Sequence, residues 1–411
     1  MTSITAALVF DLLCCALSVV FMWSTLIVLI GLVKRPRRHP KAANAKHLRF
    51  AVLICARNEE SVIRLPVKSI AMNEYPADRR EVFVIADNCS DDTARLAWEA
   101  GATVWEKTTP SAGKGDVLKW GVERICALGG FDAIAVFDAD NIVANNWLDV
   151  VNDALQDGES VVTGCRHASN AKVNVISGWY SVYWDIMNEL SNRVRTNLGL
   201  SGKLTGTGFA FLIPVLGEDG WNTRTMVEDV EFTIQGNIAG RRVAYVPDAH
   251  YADEQPVDAL SMWRQLRRWT TGGWQVVRFY FWPWLKAFFR KPSLRLFDCY
   301  FAILTGMSVA FILLFDIVAL VVKIYRGAVD GSAISMFFGV LCVVFVMGWF
   351  TALSAVALSQ KKRRPSWKAI ITFPIFSLIL SGAVLFTLVH PTRRWKAIHH
   401  SGIGSEGPQT K

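Results

Sequence analysis

The chain has 411 residues, a formal net charge of +9 at pH 7, and a composition that is 52% hydrophobic and only 19% charged. A mean hydropathy of +0.28 excludes an ordinary soluble enzyme and calls for membrane-spanning segments. The positive balance suits an anionic membrane face, a phosphorylated substrate or nucleic acid, and the position of the basic residues must decide.

The first element is an apolar stretch from about Ala6 to Val33, longer than the ~20 residues that cross a bilayer as helix. It has no basic leader and is too long for a cleavable signal peptide. "KRPRRHPKAANAKHLR" follows at 34–49. Lys and Arg gather on the cytoplasmic side, so the N-terminus is expected outside and the next segment in the cytoplasm. Because the basic clusters flank apolar spans, a nucleic-acid partner is disfavoured.

From residue 50 onward short apolar runs alternate with helical patterns. "FAVLICA" reads as a strand, and "NEESVIRLPVKSIAMNEY" as a helix with Asn58 at its cap and Glu59 and Glu60 in its first turn. "EVFVIAD" is a strand and "SDDTARLAWEAG" a helix; "ATVWE" is a strand and "KGDVLKWGVERICALGG" a helix. "AIAVFD", "NNWLDVVNDALQ" and "SVVTGC" continue as strand, helix and strand. This order predicts an α/β fold with a mostly parallel, Rossmann-like sheet. Ligands then bind where strands end, and these strands end in Arg57, Asn58 and Glu59, in Asp87, and in Asp138 and Asp140.

Three further apolar stretches follow, at about Phe297–Val322, Ile334–Leu358 and Ile370–Val389. The second and third spans fit a hairpin that returns "KKRRP", 361–365, to the cytoplasm. The fourth is interrupted by Pro374 and Gly382 and is followed by the basic "PTRRWKAIHH", so a re-entrant or interfacial pair competes with a full crossing. The expected organisation is a helix and basic linker (1–49), a cytoplasmic domain (50–255), interfacial amphipathic helices (256–295) and a C-terminal membrane region with its tail (296–411). The whole is expected to be a multi-pass plasma-membrane protein. The eight cysteines show no metal-binding spacing and read as reduced, unligated thiols.

Asp138 and Asp140 could cap a helix, with Asn141 or Asn145 sharing that work, or hold a hard divalent cation such as Mg2+ or Mn2+. Glu228, Asp229 and Glu231 crowd one prospective first helical turn. "SMWRQLRRWTTGGWQVVRFYFWPWLKAFFRK" is a basic, aromatic segment suited to a bilayer surface, where Trp282 and Trp284 are expected to lie. "GWYSVYWDIMNELSNRVR" (178–195) reads as another interfacial helix. His250 is expected to be packed or hydrogen-bonded, with metal ligation the less favoured alternative.

Seven motifs in order give a resemblance: "ARNEE" (56–60), "ADNCSDDT" (86–93), "GKGDVLKWG" (113–121), "DAD" (138–140), "GTGFAF" (206–211), "VEDVEF" (227–232) and "QLRRW" (265–269). Over about residues 50–290 the chain resembles the membrane-embedded family-two glycosyltransferases. These are inverting enzymes of the GT-A fold that include hyaluronan, chitin, cellulose and poly-N-acetylglucosamine synthases. The resemblance implies a cytoplasmic GT-A domain that takes a hexose or N-acetylhexosamine from a UDP-sugar with Mg2+ or Mn2+. It implies nucleotide contacts from Arg57, Asn58, Glu59, Asp87, Lys114 and Asp138, and metal contacts from Asp140 and Asp138. Asp229 would be the general base. Gly206, Thr207, Gly208, Glu228, Gln265, Arg268 and Trp269 would serve the acceptor and the diphosphate. Val227 stands where the family often has threonine, and Glu231 where many polymerising members have aspartate. The acceptor is expected to be a saccharide in polysaccharide synthesis and export, with a non-processive glycolipid synthase as the alternative. A transporter or receptor is disfavoured, because "SAGKGDV" lacks the spacing of an ATP-binding loop.

Overall fold

The computed structural model describes residues 2–34, 46–327, 331–359 and 364–392. The basic runs at 35–45 and 361–363, the centre of the "YRGAVDG" loop, and the tail with His399 and His400 lie outside the described residues.

The elements run in the expected alternation: α1 (Thr2–Val33), β1 (Phe50–Ala56), α2 (Arg64–Ala71), β2 (Arg80–Asp87), α3 (Thr93–Glu99), β3 (Thr103–Lys107), α4 (Lys114–Leu128) and β4 (Ala133–Asp138). Then come β5 (Ile142–Val143), α5 (Trp147–Gln156), β6 (Val161–Ala168), α6 (Val175–Asp185) and, after a π-helical stretch at Ile186–Arg193, α7 (Val194–Asn197). The order closes with β7 (Phe209–Leu212), α8 (Glu228–Ile238), β8 (Val243–Asp253), α9 (Ala259–Arg290), α10 (Leu294–Tyr325), α11 (Gly331–Leu358) and α12 (Trp367–Val389).

One sheet has the order β3-β2-β1-β4-β7-β6-β8-β5. The pairs β1–β2, β1–β4, β2–β3 and β6–β8 are parallel, while β4–β7, β6–β7 and β5–β8 are antiparallel. β1 shows why it is buried on both faces. Phe50, Val52 and Ile54 pack into the core beneath α2 and α5 with Trp147 and Val151. Ala51 and Leu53, pointing the other way, meet Leu118, Val122 and Ile125 of α4. β1, β2 and β4 therefore end side by side, and their polar ends meet at one edge.

Among the described residues, four helices carry apolar stretches long enough to cross a membrane: Cys15–Val33, Leu294–Tyr325, Ile334–Leu358 and Trp367–Val389. α12 runs unbroken through Pro374 and Gly382, so the fourth stretch is one helix and not a re-entrant pair. The segment 178–195 is mostly buried rather than spread on a surface. Its Trp179, Tyr180 and Trp184 pack with Leu266 of α9 and Phe373 and Phe376 of α12. α1 is tied to the same body through Asp298, which accepts from Trp23 Nε1 at 3.0 Å and pairs with Arg195 Nε at 2.9 Å. Trp282 is 70% exposed as expected, but Trp284 is 6% exposed. Its indole stacks on Tyr300 at 4.5 Å and donates to the Leu296 carbonyl at 2.8 Å, so tertiary packing has claimed it.

Candidate active site

The ends of β1 and β2 are laced together. Asn58 and Asn88 have φ of +57° and +50°, a left-handed conformation that asparagine tolerates better than most residues. Asn58 is not a helix cap, since α2 begins at Arg64. Its Oδ1 accepts from Ser90 N at 2.8 Å instead. Glu59 and Glu60 likewise precede the helix: Glu59 N donates to Thr93 Oγ1 at 2.8 Å, and Glu60 Oε2 accepts from Asp92 N at 3.1 Å. Asp87 is buried. It accepts from Ser111 Oγ at 2.7 Å and Asn88 Nδ2 at 2.9 Å, with Arg57 Nε 3.5 Å away.

At the end of β4, Asp138 pairs with Lys114, the first residue of α4. Lys114 Nζ also donates to the Gly206 carbonyl at 2.7 Å. Asp138 and Glu228 raise the Lys114 pKa against the opposing effect of its burial. Asp140 is buried, accepting from Glu254 N at 2.9 Å and Asn141 Nδ2 at 3.1 Å. No side chain caps α5, which starts after Asn146; Asn141 is engaged with Asp140 and Thr207. The helix-cap alternative for the two aspartates is thereby removed.

The "GTGFAF" segment brings α8 to this edge. Gly208 has φ +62°, and a Cβ there would lie 2.1 Å from the Tyr251 ring, so only glycine fits. Gly206, at φ +88°, faces Asp229, whose Oδ2 lies 3.9 Å from where a Cβ would stand. The three acids at the start of α8 have different fates. Glu231 accepts from the backbone of Arg224 and Thr225 at 2.9 and 2.7 Å and from Tyr280 at 2.7 Å, a structural bracket. Glu228 and Asp229 face the cavity. Burial pushes Glu228 up to about 7, against the pull of Lys114 and with help from Asp229. Burial also raises Asp229, opposed by the Val230 N–H and by Lys203.

On α9, Gln265, Arg268 and Trp269 fall on one face through their i, i+3, i+4 spacing and line the cavity. Trp269 stacks on Tyr183 at 5.8 Å and meets Tyr180 and Trp184 edge-on. Gln265 Oε1 is buried and has no hydrogen-bond partner among the described residues.

These groups surround one cavity of about 670 Å³. Arg57, Glu59, Asp87, Lys114, Asp138, Asp140, Gly206, Glu228, Asp229, Gln265, Arg268 and Trp269 line it; Asn58, Thr207 and Gly208 stand behind the lining. Its other end lies among the candidate spans and is mainly apolar, walled by Phe21 and Val28 of α1, Ile303 and Met307 of α10 and Phe350 of α11, with the hydroxyls of Ser24, Thr305 and Thr351 among them. The sequence reading did not single out Arg166 and Asp253. Arg166 bonds Asp253 through Nε at 3.1 Å and lies 3.7 Å over the Trp184 ring. Only a charged residue inside an apolar strand hinted at it, and its partner is 87 residues away. His250 does not line this cavity.

The profile of the glycosyltransferase-like family 2 matches residues 47–272. A beta-monoglucosyldiacylglycerol synthase of Trichormus variabilis is 28% identical over 347 residues, 80% of this chain and 69% of that protein. A probable glycosyltransferase, YdaM of Bacillus subtilis, is 30% identical over 64% of this chain and 63% of its own length. A poly-beta-1,6-N-acetyl-D-glucosamine synthase of Staphylococcus aureus is 23% identical over 60% of this chain and 58% of its own. Among solved structures, the mannosyltransferase PcManGT of Pyrobaculum calidifontis, in complex with GDP-Man and Mn2+, superposes with a TM-score of 0.63 at 16% identity. It covers 93% of this chain and 99% of that one.

Proposed function

The chain belongs to glycosyltransferase family 2, and from that premise we propose that it transfers a sugar, with inversion, from a UDP-sugar to a lipid-bearing acceptor. One observation carries the acceptor class. The cavity that holds Asp138, Asp140 and Asp229 continues into an apolar end between the candidate spans. An acyl chain matches the apolar side chains that predominate there, whereas a hydrated sugar chain would find few hydrogen-bond partners. The kinship with a glucosyldiacylglycerol synthase supports the same reading. The polymer reading has two supports: the Trp269 and Tyr183 platform, whose indole face suits a pyranose ring, and the more distant kinship with a poly-beta-1,6-N-acetyl-D-glucosamine synthase.

In this mechanism Asp87 accepts the uracil N3–H, with Ser111 and Arg57 holding its carboxylate in place. Asp138 and Asp140 offer hard oxygen donors at the cavity wall, and Asp138 already pairs with a cation, the Lys114 ammonium. They would hold Mg2+ or Mn2+, which when bound neutralises charge on the departing diphosphate. Lys114 and Arg268 supply further positive charge. Asp229 takes the proton from the acceptor hydroxyl as that oxygen bonds to the anomeric carbon. The bond to UDP breaks on the opposite face. Burial of Asp229 keeps it basic enough for this task. We place the catalytic domain in the cytoplasm, where UDP-sugars reside, on the strength of the basic run after α1.

The test is product analysis with purified protein, labelled UDP-sugars, Mg2+ or Mn2+, and a lipid extract. Label in the organic phase supports the lipid acceptor. Label only in high-mass, water-soluble material would sink it.

A further inference from the structure

We propose that Cys165, His167 and His250 form a second metal site, selective for a thiophilic divalent ion of the Zn2+ class and separate from the Asp138–Asp140 pair. It is the one group of three such ligands among the described residues whose donor atoms all lie within 4.8 Å of one another. The placement follows from strand geometry. Cys165 and His167 are two apart on β6 and share one face of the sheet. β8 runs parallel to β6, and beyond an irregularity between Thr163 and Cys165 the register sets His250 opposite Cys165.

The distances suit a common ion. His167 Nε2 lies 3.0 Å from His250 Nδ1 and 3.5 Å from Cys165 Sγ. Two ligands bound tetrahedrally to Zn2+ stand about 3.3 Å apart for two nitrogens and about 3.6 Å for nitrogen and sulfur. His167 Nε2 lies within reach of both other donor atoms, so the three ligands converge on one point. A cation takes all three lone pairs at once. The donor set decides the ion: one thiolate and two imidazoles favour Zn2+, whereas the carboxylates in the cavity favour Mg2+ or Mn2+.

The ion's role follows from what lies between its ligands. Arg166, flanked by Cys165 and His167, projects to the other face. There it pairs with Asp253, donates to the Thr205 carbonyl at 2.5 Å and lines the catalytic cavity. Asp253 ends β8, three residues after His250, and the next residue's N–H binds Asp140. An ion bridging β6 and β8 would clamp the two strands that carry Arg166 and Asp253. The three side chains leave the fourth tetrahedral position to a water, the ion's role here is to hold the strands, and it differs from the ion used in transfer. On this proposal Cys165, a free thiol in the structure, would depart from the expectation of unligated thiols.

The experiment uses full-length protein in detergent, stripped with chelator and titrated with Co2+ in excess Mg2+. The expected result is one equivalent bound with a thiolate-to-cobalt absorption band that Zn2+ displaces. The band should persist in Asp140→Asn, vanish in Cys165→Ala and need at least ~10-fold more Co2+ in His250→Gln. Zn2+ should raise the Tm of the wild type and of Asp140→Asn but not of Cys165→Ala. If Cys165→Ala does not fold, His250→Gln carries the test alone. Absence of the band in folded wild type, or wild-type Co2+ affinity in His250→Gln, overturns the proposal.

Discussion

At the ends of β1 and β2 the polar groups satisfy one another. Asp87 is held by Ser111, Asn88 and Arg57, and the two loops exchange hydrogen bonds through Asn58, Glu59 and Glu60. Across the cavity, α8 and α9 present the opposite condition. Glu228 and Asp229 are buried acids with raised pKa values, and Gln265 Oε1 has no partner among the described residues. Buried polar groups left unmatched are costly, so the structure tolerates them only where something else will match them. On the proposed function the difference divides labour: the first side serves as a preformed nucleotide cradle, and the second is completed by substrate.

The hardest test of that division is Asp229→Asn. On the proposed reading it removes the base and nothing from the cradle. Turnover should fall by about 10²- to 10⁴-fold, while UDP binding, measured by calorimetry, stays within about threefold of wild type, since a contact worth more than ~0.6 kcal/mol is not being lost. Near-normal UDP release would move the base to Glu228 or end the catalytic reading. The mirror experiment is Asp87→Asn. It strikes the cradle alone, where hydrogen bonds to a charged group contribute ~1.5–3 kcal/mol. The donor KM should rise about 10- to 100-fold, with kcat nearly constant, because the contact is the same in ground and transition states. A fall in kcat alone would show that the two sides are not separable.

The two sides also differed in how far the sequence revealed them. The cradle is built from β-strand ends and the turns just after them, so Asp87, Asp138 and Asp140 could be read from local pattern. Even there, the start of α2 was misjudged. Glu59 and Glu60 look like helix first-turn acids, but their hydrogen bonds go to Thr93 at the start of α3 and to Asp92 just before it, 32 to 34 residues away. The acceptor side comes from distant segments. Gln265 and Trp269 were found through the family motif, not through spacing. Arg166 and Asp253 were invisible, because a buried ion pair between β6 and β8 depends on a strand register no local window contains. Trp284 misled for the same reason. Its amphipathic context suited a bilayer surface, and its packing on Tyr300 is a long-range fact. Pro374 suggested a break in α12, yet the neighbouring helices keep that helix whole.

Acidity offers a gentler probe of the same boundary. Glu228 titrates at about 7 when folded, above the ordinary carboxylate range. Between that range and about 7, the folded chain holds a proton that the unfolded chain has released. Stability therefore falls as pH rises through this window, and the contribution is gone above it. Glu228→Gln should flatten this decline in Tm between pH 5 and pH 8, a window on the order of the titration itself. It should also shift the acid limb of kcat/KM, which in the wild type rises with pH as the α8 acids ionise. The limb should stay put in Asp87→Asn, since Asp87 belongs to the other side. An unmoved limb in Glu228→Gln would show that Glu228 does not couple to the base.

The smallest effect is the most discriminating in sign. Gln265→Met keeps the volume of the side chain and removes a buried polar group that has no partner among the described residues. Without substrate, deleting such a group relieves part of a penalty of ~1–3 kcal/mol, so the Tm should rise by a degree or more. With acceptor present the balance reverses. If Gln265 is completed by an acceptor hydroxyl, the variant loses a neutral hydrogen bond of ~0.5–1.5 kcal/mol, and the acceptor KM should rise about 2- to 10-fold. The donor KM should not move. A group that is merely structural would lower Tm and leave both KM values alone. A group serving the nucleotide would change the donor KM instead. The combination of a more stable enzyme and a weaker acceptor KM is expected only if the α9 face was built incomplete, with the acceptor as its missing part.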